Sequence, residues 1–357
     1  MPVSLPRIRA VTLVLALVAG FLLLAANAMA SSGGSLYTQT NDPSGNSVQR
    51  FDRAADGSIK PAGTFATGGV GLAALGGRQG AVELSGDGRY LYAVNAGSDS
   101  VSVFRVGHRR TRLIDTVASR GVAPASVDEH DGRVYVLNTG GTPSVTAFWR
   151  RGNGSLNAIA TRALAPGADG AAEVAVMPDG RSLVVSERVA NRLETLPLDA
   201  FGRPGQPVVT ASSGAVPFGF GISPEGTIFV SEAGASTVSS YRAAAGGALR
   251  TITASLAVGQ GAACWVAVSP NGRFAYTGNA AGGISGFAVG RDGALTAIGT
   301  TNLVPSPRDL DFDAGGRYLQ AVSPGGQVTS YRVGSTGSLT LVDTAPAAAG
   351  ITGAAAL

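Results

Sequence analysis

Cysteine, lysine and histidine are nearly missing from this sequence. Cys264 is the single cysteine, so no disulfide can form within the chain, and the residue reads as a small buried hydrophobe. Lys60 is the one lysine, and charged residues reach only 14%. The formal net charge is +4, which becomes +2 once Arg7 and Arg9 of the leader are set aside. No Lys/Arg run is dense enough for a nucleic-acid footprint, which excludes that class of partner. The two histidines, His108 and His130, fall in turns on the face of the strand repeat described below that is opposite the one where ligands usually sit, which argues against a Ser-His-Asp or Cys-His nucleophile system and against a His-based metal site there. Long apolar runs are confined to the N-terminus. There Arg7 and Arg9 precede an apolar stretch from Val11 to Ala25 and an Ala28-Met-Ala30 small-x-small site. That pattern predicts a signal peptide over residues 1–30 cleaved before Ser31, because about fifteen apolar residues are short for a membrane span.

Glycine and short alternating runs are what the sequence has in abundance. There are 52 glycines in 357 residues and 45% hydrophobic content, a balance that suits many short strands joined by tight turns. One phrase recurs, a short strand called B here: Leu36 to Thr40, Leu91 to Asn95, Val134 to Asn138, Leu183 to Glu187, Ile228 to Glu232, Ala275 to Asn279 and Leu319 to Ser323. Turns such as Asp87-Gly88, Asp131-Gly132, Asp179-Gly180 and Asn271-Gly272 precede it. A second strand follows, for example Ser144 to Trp149, then a Gly-rich turn and a third strand, and a further strand such as Val174 to Met177 leads into the next copy. Seven copies of four strands predict an all-β, seven-bladed propeller with antiparallel blades, occupying residues 31–357 as one domain. The first copy lacks an innermost strand and the tail from Pro346 to Leu357 resembles one, so the ring is expected to close by that tail joining blade 1. Gly68 to Gly80 reads as a linker or as a loop over one face of the disc.

Two rings of residues are candidates for chemistry. The last position of strand B is polar throughout: Thr40, Asn95, Asn138, Glu187, Glu232, Asn279 and Ser323. Such residues can cap the following turn, or, if they face the channel, bind a ligand. A second ring at the start of the innermost strand A includes Gln79, Ser126, Glu173, Phe218, Trp265 and Asp309, with Arg308 beside the last. Should the rings face one another, Glu173, Glu187, Glu232 and Asp309 would crowd acids at the channel mouth. Like charges held close raise at least one pKa and set up a proton donor and acceptor near neutrality. Arg308 would then hold a carboxylate or an oxyanion, with Gln79, Asn95, Asn138, Trp265 and Asn279 contacting substrate.

The phrases Ser269-Pro-Asn-Gly-Arg-Phe-Ala-Tyr, Asp87-Gly-Arg-Tyr-Leu-Tyr-Ala-Val-Asn, Pro217-Phe-Gly-Phe and Ala263-Cys-Trp-Val give the chain its resemblance to the lactonase family of seven-bladed propellers, the group related to bacterial 6-phosphogluconolactonase and fungal carboxymuconate cyclase. The resemblance spans the mature chain and implies lactone ring opening near the channel. Members thought to be catalytic use His, Glu and Arg there, and this sequence places no histidine at such a position. The expectation is an exported hydrolase, secreted or periplasmic, that takes a small lactone or sugar-like ligand without cofactor or metal and acts as a monomer with no stable membrane anchor. The rival expectation is a non-catalytic propeller binding a protein, glycan or cell-wall ligand, since fold alone does not fix function.

Overall fold

A computed structural model describes residues 1, 33–73, 78–107, 110–302 and 306–357. The predicted leader and His108 therefore lie outside the described residues. The described chain forms seven four-stranded antiparallel sheets arranged as the blades of a propeller. Lettering strands A to D from the channel outward, the A strands of blades 2 to 7 are Val82–Leu84, Val122–His130, Ala171–Val176, Pro217–Ile222, Gly261–Val268 and Asp309–Phe312. The B strands of blades 1 to 7 are Gly34–Gln39, Tyr90–Asn95, Arg133–Gly140, Ser182–Glu187, Thr227–Glu232, Phe274–Ala281 and Tyr318–Ser323.

The turns between strands A and B form for local reasons. In blade 2 the Asp87 carboxylate accepts from the Arg89 amide at 3.0 Å and from the Ser85 hydroxyl at 2.6 Å, and Gly88 takes φ +64°, a value that glycine adopts without a Cβ clash. Blade 6 repeats it with Asn271, which accepts from the Arg273 amide at 3.0 Å and the Ser269 hydroxyl at 2.8 Å. Side chains alternate across each strand, so apolar residues face both neighbouring blades. The core is accordingly a ring of layers between blades. One such layer joins Tyr90, Tyr92 and Val103 of blade 2 to Val127, Val136 and Phe148 of blade 3.

Blade 1 is assembled from both ends of the described chain. Strand A is Thr352–Ala356 and pairs with strand B at Leu36↔Ala356, Tyr37↔Ala355 and Gln39↔Thr352. The Leu357 amide adds a bond to the Ser35 carbonyl at 2.8 Å. Ile351, Ala354 and Ala355 are buried by this closure. It also fixes the geometry of the channel, because no inner edge strand is left unpaired on its outer side. A chain ending at Gly350 is expected to lose more than about 3 kcal/mol of stability, on the scale of removing one large core side chain. Urea unfolding is the measurement, and a peptide carrying residues 351–357 should restore the midpoint; an unchanged midpoint would mean that closure contributes nothing.

Candidate functional site at the channel mouth

The inner strands leave backbone N-H groups pointing toward the axis, and the sequence supplies acceptors for them from the neighbouring blade. Asp128 of blade 3 accepts from the Val176 amide of blade 4 at 2.6 Å, and Glu173 of blade 4 accepts from the Phe220 amide of blade 5 at 2.6 Å. Asp309 and Asp311 of blade 7 accept from the Ala354 and Ala356 amides of blade 1 at 3.1 and 2.8 Å. Ser126 treats the Val174 amide likewise at 3.2 Å. Glu83, Asp128, Glu173, Asp309 and Asp311 line an axial cavity of about 310 Å³. Five carboxyls in so small a space cannot all ionise cheaply. Burial first, and then the other acids, push Glu83, Glu173 and Asp309 well above the usual carboxylate range. Burial likewise raises Asp128 to about 6 and Asp311 to about 7, against the lowering effect of their amide partners.

Gln79 also lines this cavity. Its carboxamide reaches across from the crossover entering blade 2, donating to the Phe220 and Val266 carbonyls at 2.8 and 2.7 Å and accepting from the Val266 amide at 2.8 Å. Gly219 makes the reach feasible, since a Cβ there would overlap the Gln79 amide and the Cys264 carbonyl.

Above Gln79, on the face shared by the B-to-C turns and the crossovers into strand A, three arginines gather. The Arg78 and Arg188 guanidiniums lie 5.5 and 5.2 Å from the Phe218 ring centroid, so one aromatic ring carries two cations. Phe218 is held from behind by Trp265, ring centroids 5.8 Å apart and edge to face, and its carbonyl accepts from the Ser186 hydroxyl. Arg78, Arg188 and Arg308 all bear electrostatically on Cys264, whose thiol burial nevertheless raises to about 11. None of the three forms an ion pair among the described residues. Burial and the charge of Arg188 lower Arg78 to about 10. Nε of Arg78, Nε of Arg308 and Nε1 of Trp265 are buried without a partner. Asp169 acts on Arg188 at longer range without forming an ion pair; cations held together with no carboxylate in contact, and with donors unmet, make a site for an anion or a developing oxyanion.

Strand B's terminal ring takes a different place. Asn95, Asn138, Glu187, Glu232 and Asn279 are all fully buried, and none of them lines the axial cavity. Glu187 accepts from the Asp169 amide and the Arg192 guanidinium, both at 3.0 Å, and Arg192 also pairs with Glu194 at 2.9 Å. Burial, with a hydrogen bond to Glu194 adding to it, raises Glu187 to about 8. Glu232 sits in a cage of donors: the Gly214 amide at 2.7 Å, the Ser239 hydroxyl at 2.5 Å, and the Thr237 hydroxyl. Asn138 donates to the Thr146 hydroxyl at 3.2 Å, Asn279 to the Gly283 carbonyl at 3.1 Å, and Asn95 to the Ser102 hydroxyl at 2.8 Å. Most of these groups clamp the turn or the crossover belonging to their own blade, the capping alternative of the sequence reading. Of the residues expected to act together, Gln79, Glu173 and Asp309 line the channel, and Trp265 and Arg308 lie at its mouth. Sequence reasoning missed Arg78 as a site residue, along with Glu83, Asp128 and Asp311. Two signals were present: Arg78-Gln79 precedes its blade as Arg308-Asp309 does, and Ser126-x-Asp128 and Asp309-x-Asp311 have the period of 2 that puts both side chains on one face of a strand. His130 ends strand A of blade 3 on the far face.

A seven-bladed propeller with an arginine-lined mouth and an acid-lined channel is the class that fold and site define. Residues 44–168, 142–267 and 253–352 match the family described as Lactonase, 7-bladed beta-propeller, and the chain belongs to that family. Among solved structures it is similar to a Bacteroides uniformis protein proposed to be a 6-phosphogluconolactonase, at 20% identity and TM-score 0.78, covering 92% of this chain and 100% of that one. It is also similar to the Pseudomonas aeruginosa periplasmic gluconolactonase PpgL, at 20% identity and TM-score 0.74, covering 91% and 99%. At such identities the likeness is one of fold. No curated protein sequence matches.

The channel acids make stability depend on pH with a definite sign. Asp128 and Asp311 ionise near 4 when unfolded and near 6 and 7 when folded, so the folded chain binds more protons over that interval. This contribution is complete below pH 4 and is lost as pH rises through 7, by on the order of 2–5 kcal/mol for the cluster. Thermal unfolding is expected to shift downward from pH 5 to pH 8, and Asp311→Asn should flatten the dependence. A melting temperature that rises across this range would contradict the assignment.

Proposed function

We propose that this chain is an exported lactonase that opens a small lactone at the channel mouth, with Arg78, Arg188 and Arg308 receiving the carbonyl oxygen and then the carboxylate of the product. The observation that carries the reading is the convergence of three guanidiniums, none in an ion pair among the described residues, around Phe218 and Cys264. When water attacks the lactone carbonyl, negative charge develops on its oxygen, and donors already in place stabilise that charge without reorganising. The ring oxygen departs as an alkoxide and needs a proton. Glu173 and Asp309, which burial pushes well above the usual carboxylate range, are the donors assigned to this step, and the proton that the attacking water gives up replaces the one donated. Glu187 and Glu232 are assigned to loop clamping. Membership of the lactonase family supports the reaction class. Export is supported by the leader pattern and by the periplasmic location named for the Pseudomonas relative. No helix among the described residues is long and apolar enough to cross a membrane.

Titration of acid released from a panel of γ- and δ-lactones tests the reading. Arg308→Gln should lower kcat by about 10²–10³, the usual cost of one oxyanion donor. Glu187→Gln should change the melting temperature and leave kcat within a few fold. Absence of release above the spontaneous rate, with hydroxy acids still bound and that binding lost in Arg308→Gln, would make the protein a binding module. Export is checked separately by the N-terminal sequence of the protein recovered outside the cytoplasm, expected to begin at Ser31.

A further inference from the structure

Beside Arg308, on the same face, a groove of about 360 Å³ runs over the junction of blades 7 and 1. Its volume is within the range of pockets that enclose small organic ligands. Pro43, Ala73, Pro324, Ala348 and Ala349 give it apolar walls. Its few polar side chains are largely occupied. Asn41 donates to the Leu72 carbonyl at 3.2 Å and accepts from the Leu72 amide at 2.9 Å. The Thr40 hydroxyl donates to Asn46 at 3.3 Å. Asp42 accepts from both the amide and the hydroxyl of Ser44 with one oxygen, at 2.8 and 2.7 Å, and leaves negative charge at the rim.

Such a lining disfavours two kinds of occupant. A polyhydroxylated group would leave most of its hydroxyls unpaired against proline and alanine. A phosphate or second carboxylate would meet Asp42 and find no cation in the groove besides Arg308. An alkyl chain meets neither objection and gains by leaving water. Since Arg308 belongs to both the groove and the arginine cluster, a ligand with its acid or lactone end at the arginines would direct its substituent along the groove.

We infer that the groove over blades 7 and 1 is a subsite for an uncharged alkyl substituent, so that the ligand class is alkyl-substituted γ- and δ-lactones and their open-chain hydroxy acids. This rests on the reading that the arginines receive the acid end.

Calorimetric titration of the full chain with 4-hydroxybutyrate, 4-hydroxyhexanoate, 4-hydroxyoctanoate and 4-hydroxydecanoate, with gluconate as the polyhydroxylated comparison, tests it. Affinity should rise two- to fourfold per methylene, fourfold being the limit for full burial, until the groove is filled. The heat capacity change of binding should become more negative along the series. Ala349→Trp, at an exposed position, should abolish the dependence on length while leaving the affinity for 4-hydroxybutyrate within twofold. Binding of 4-hydroxybutyrate with no gain along the series, or gluconate binding as tightly as 4-hydroxydecanoate, overturns the alkyl subsite and leaves the arginine reading standing. Failure of every acid to bind overturns both.

Discussion

Seven inner strands surround one narrow channel, and each presents to it a row of backbone N-H groups with no further strand to accept them. An unpaired buried amide costs free energy comparable to a lost hydrogen bond, so the hole in the middle of the propeller is the constraint that the rest of the structure answers. The answer here is a set of carboxyls, each reaching from strand A of one blade to an amide of the next, as Asp128 does for Val176 and Asp311 for Ala356. These bonds tie blade to blade at the axis while the apolar layers tie them farther out. They also explain why so many acids are buried without a basic partner. Burial raises all five carboxyls above the usual carboxylate range, against the lowering effect of the amide bonds that four of them accept.

Acid and base are thereby separated along the axis. Gln79 lies between the carboxyls below and the arginines above, bonded to blades 5 and 6 and covalently part of the crossover into blade 2. The mouth is thus lined by arginines and the channel by carboxyls. Phe218 contributes by holding two guanidiniums against its faces and edges, a placement that depends on Trp265 and Ser186 behind it.

Buried polarity elsewhere in the molecule serves shape. Glu232 accepts bonds from a backbone amide and several hydroxyls, and Glu187 shares Arg192 with Glu194. Asn95, Asn138 and Asn279 do similar work with neutral groups. Glu187 and Glu232 hold the crossovers entering blades 4 and 5 at the Asp169 and Gly214 amides.

The sequence by itself determined the propeller. Asp-Gly and Asn-Gly turns, strict alternation and a repeat of four strands are local signals, and closure by the tail followed from one missing strand at the beginning and one extra at the end. It also picked out Glu173, Arg308, Asp309, Gln79 and Trp265, because their register within the repeat put them at the start of strand A. Tertiary structure alone decided which polar ring faces the axis and which is buried within its blades. Both rings are rich in polar residues in the sequence and both are largely buried in the fold, and only the packing of one blade on the next makes Glu173 and Asp309 line the axial cavity while Glu187 and Glu232 bond within their own blades. The same holds for Arg78, Arg188 and Arg308, more than a hundred residues apart in chain positions and brought together because a closed ring makes neighbours of crossovers that the sequence keeps distant.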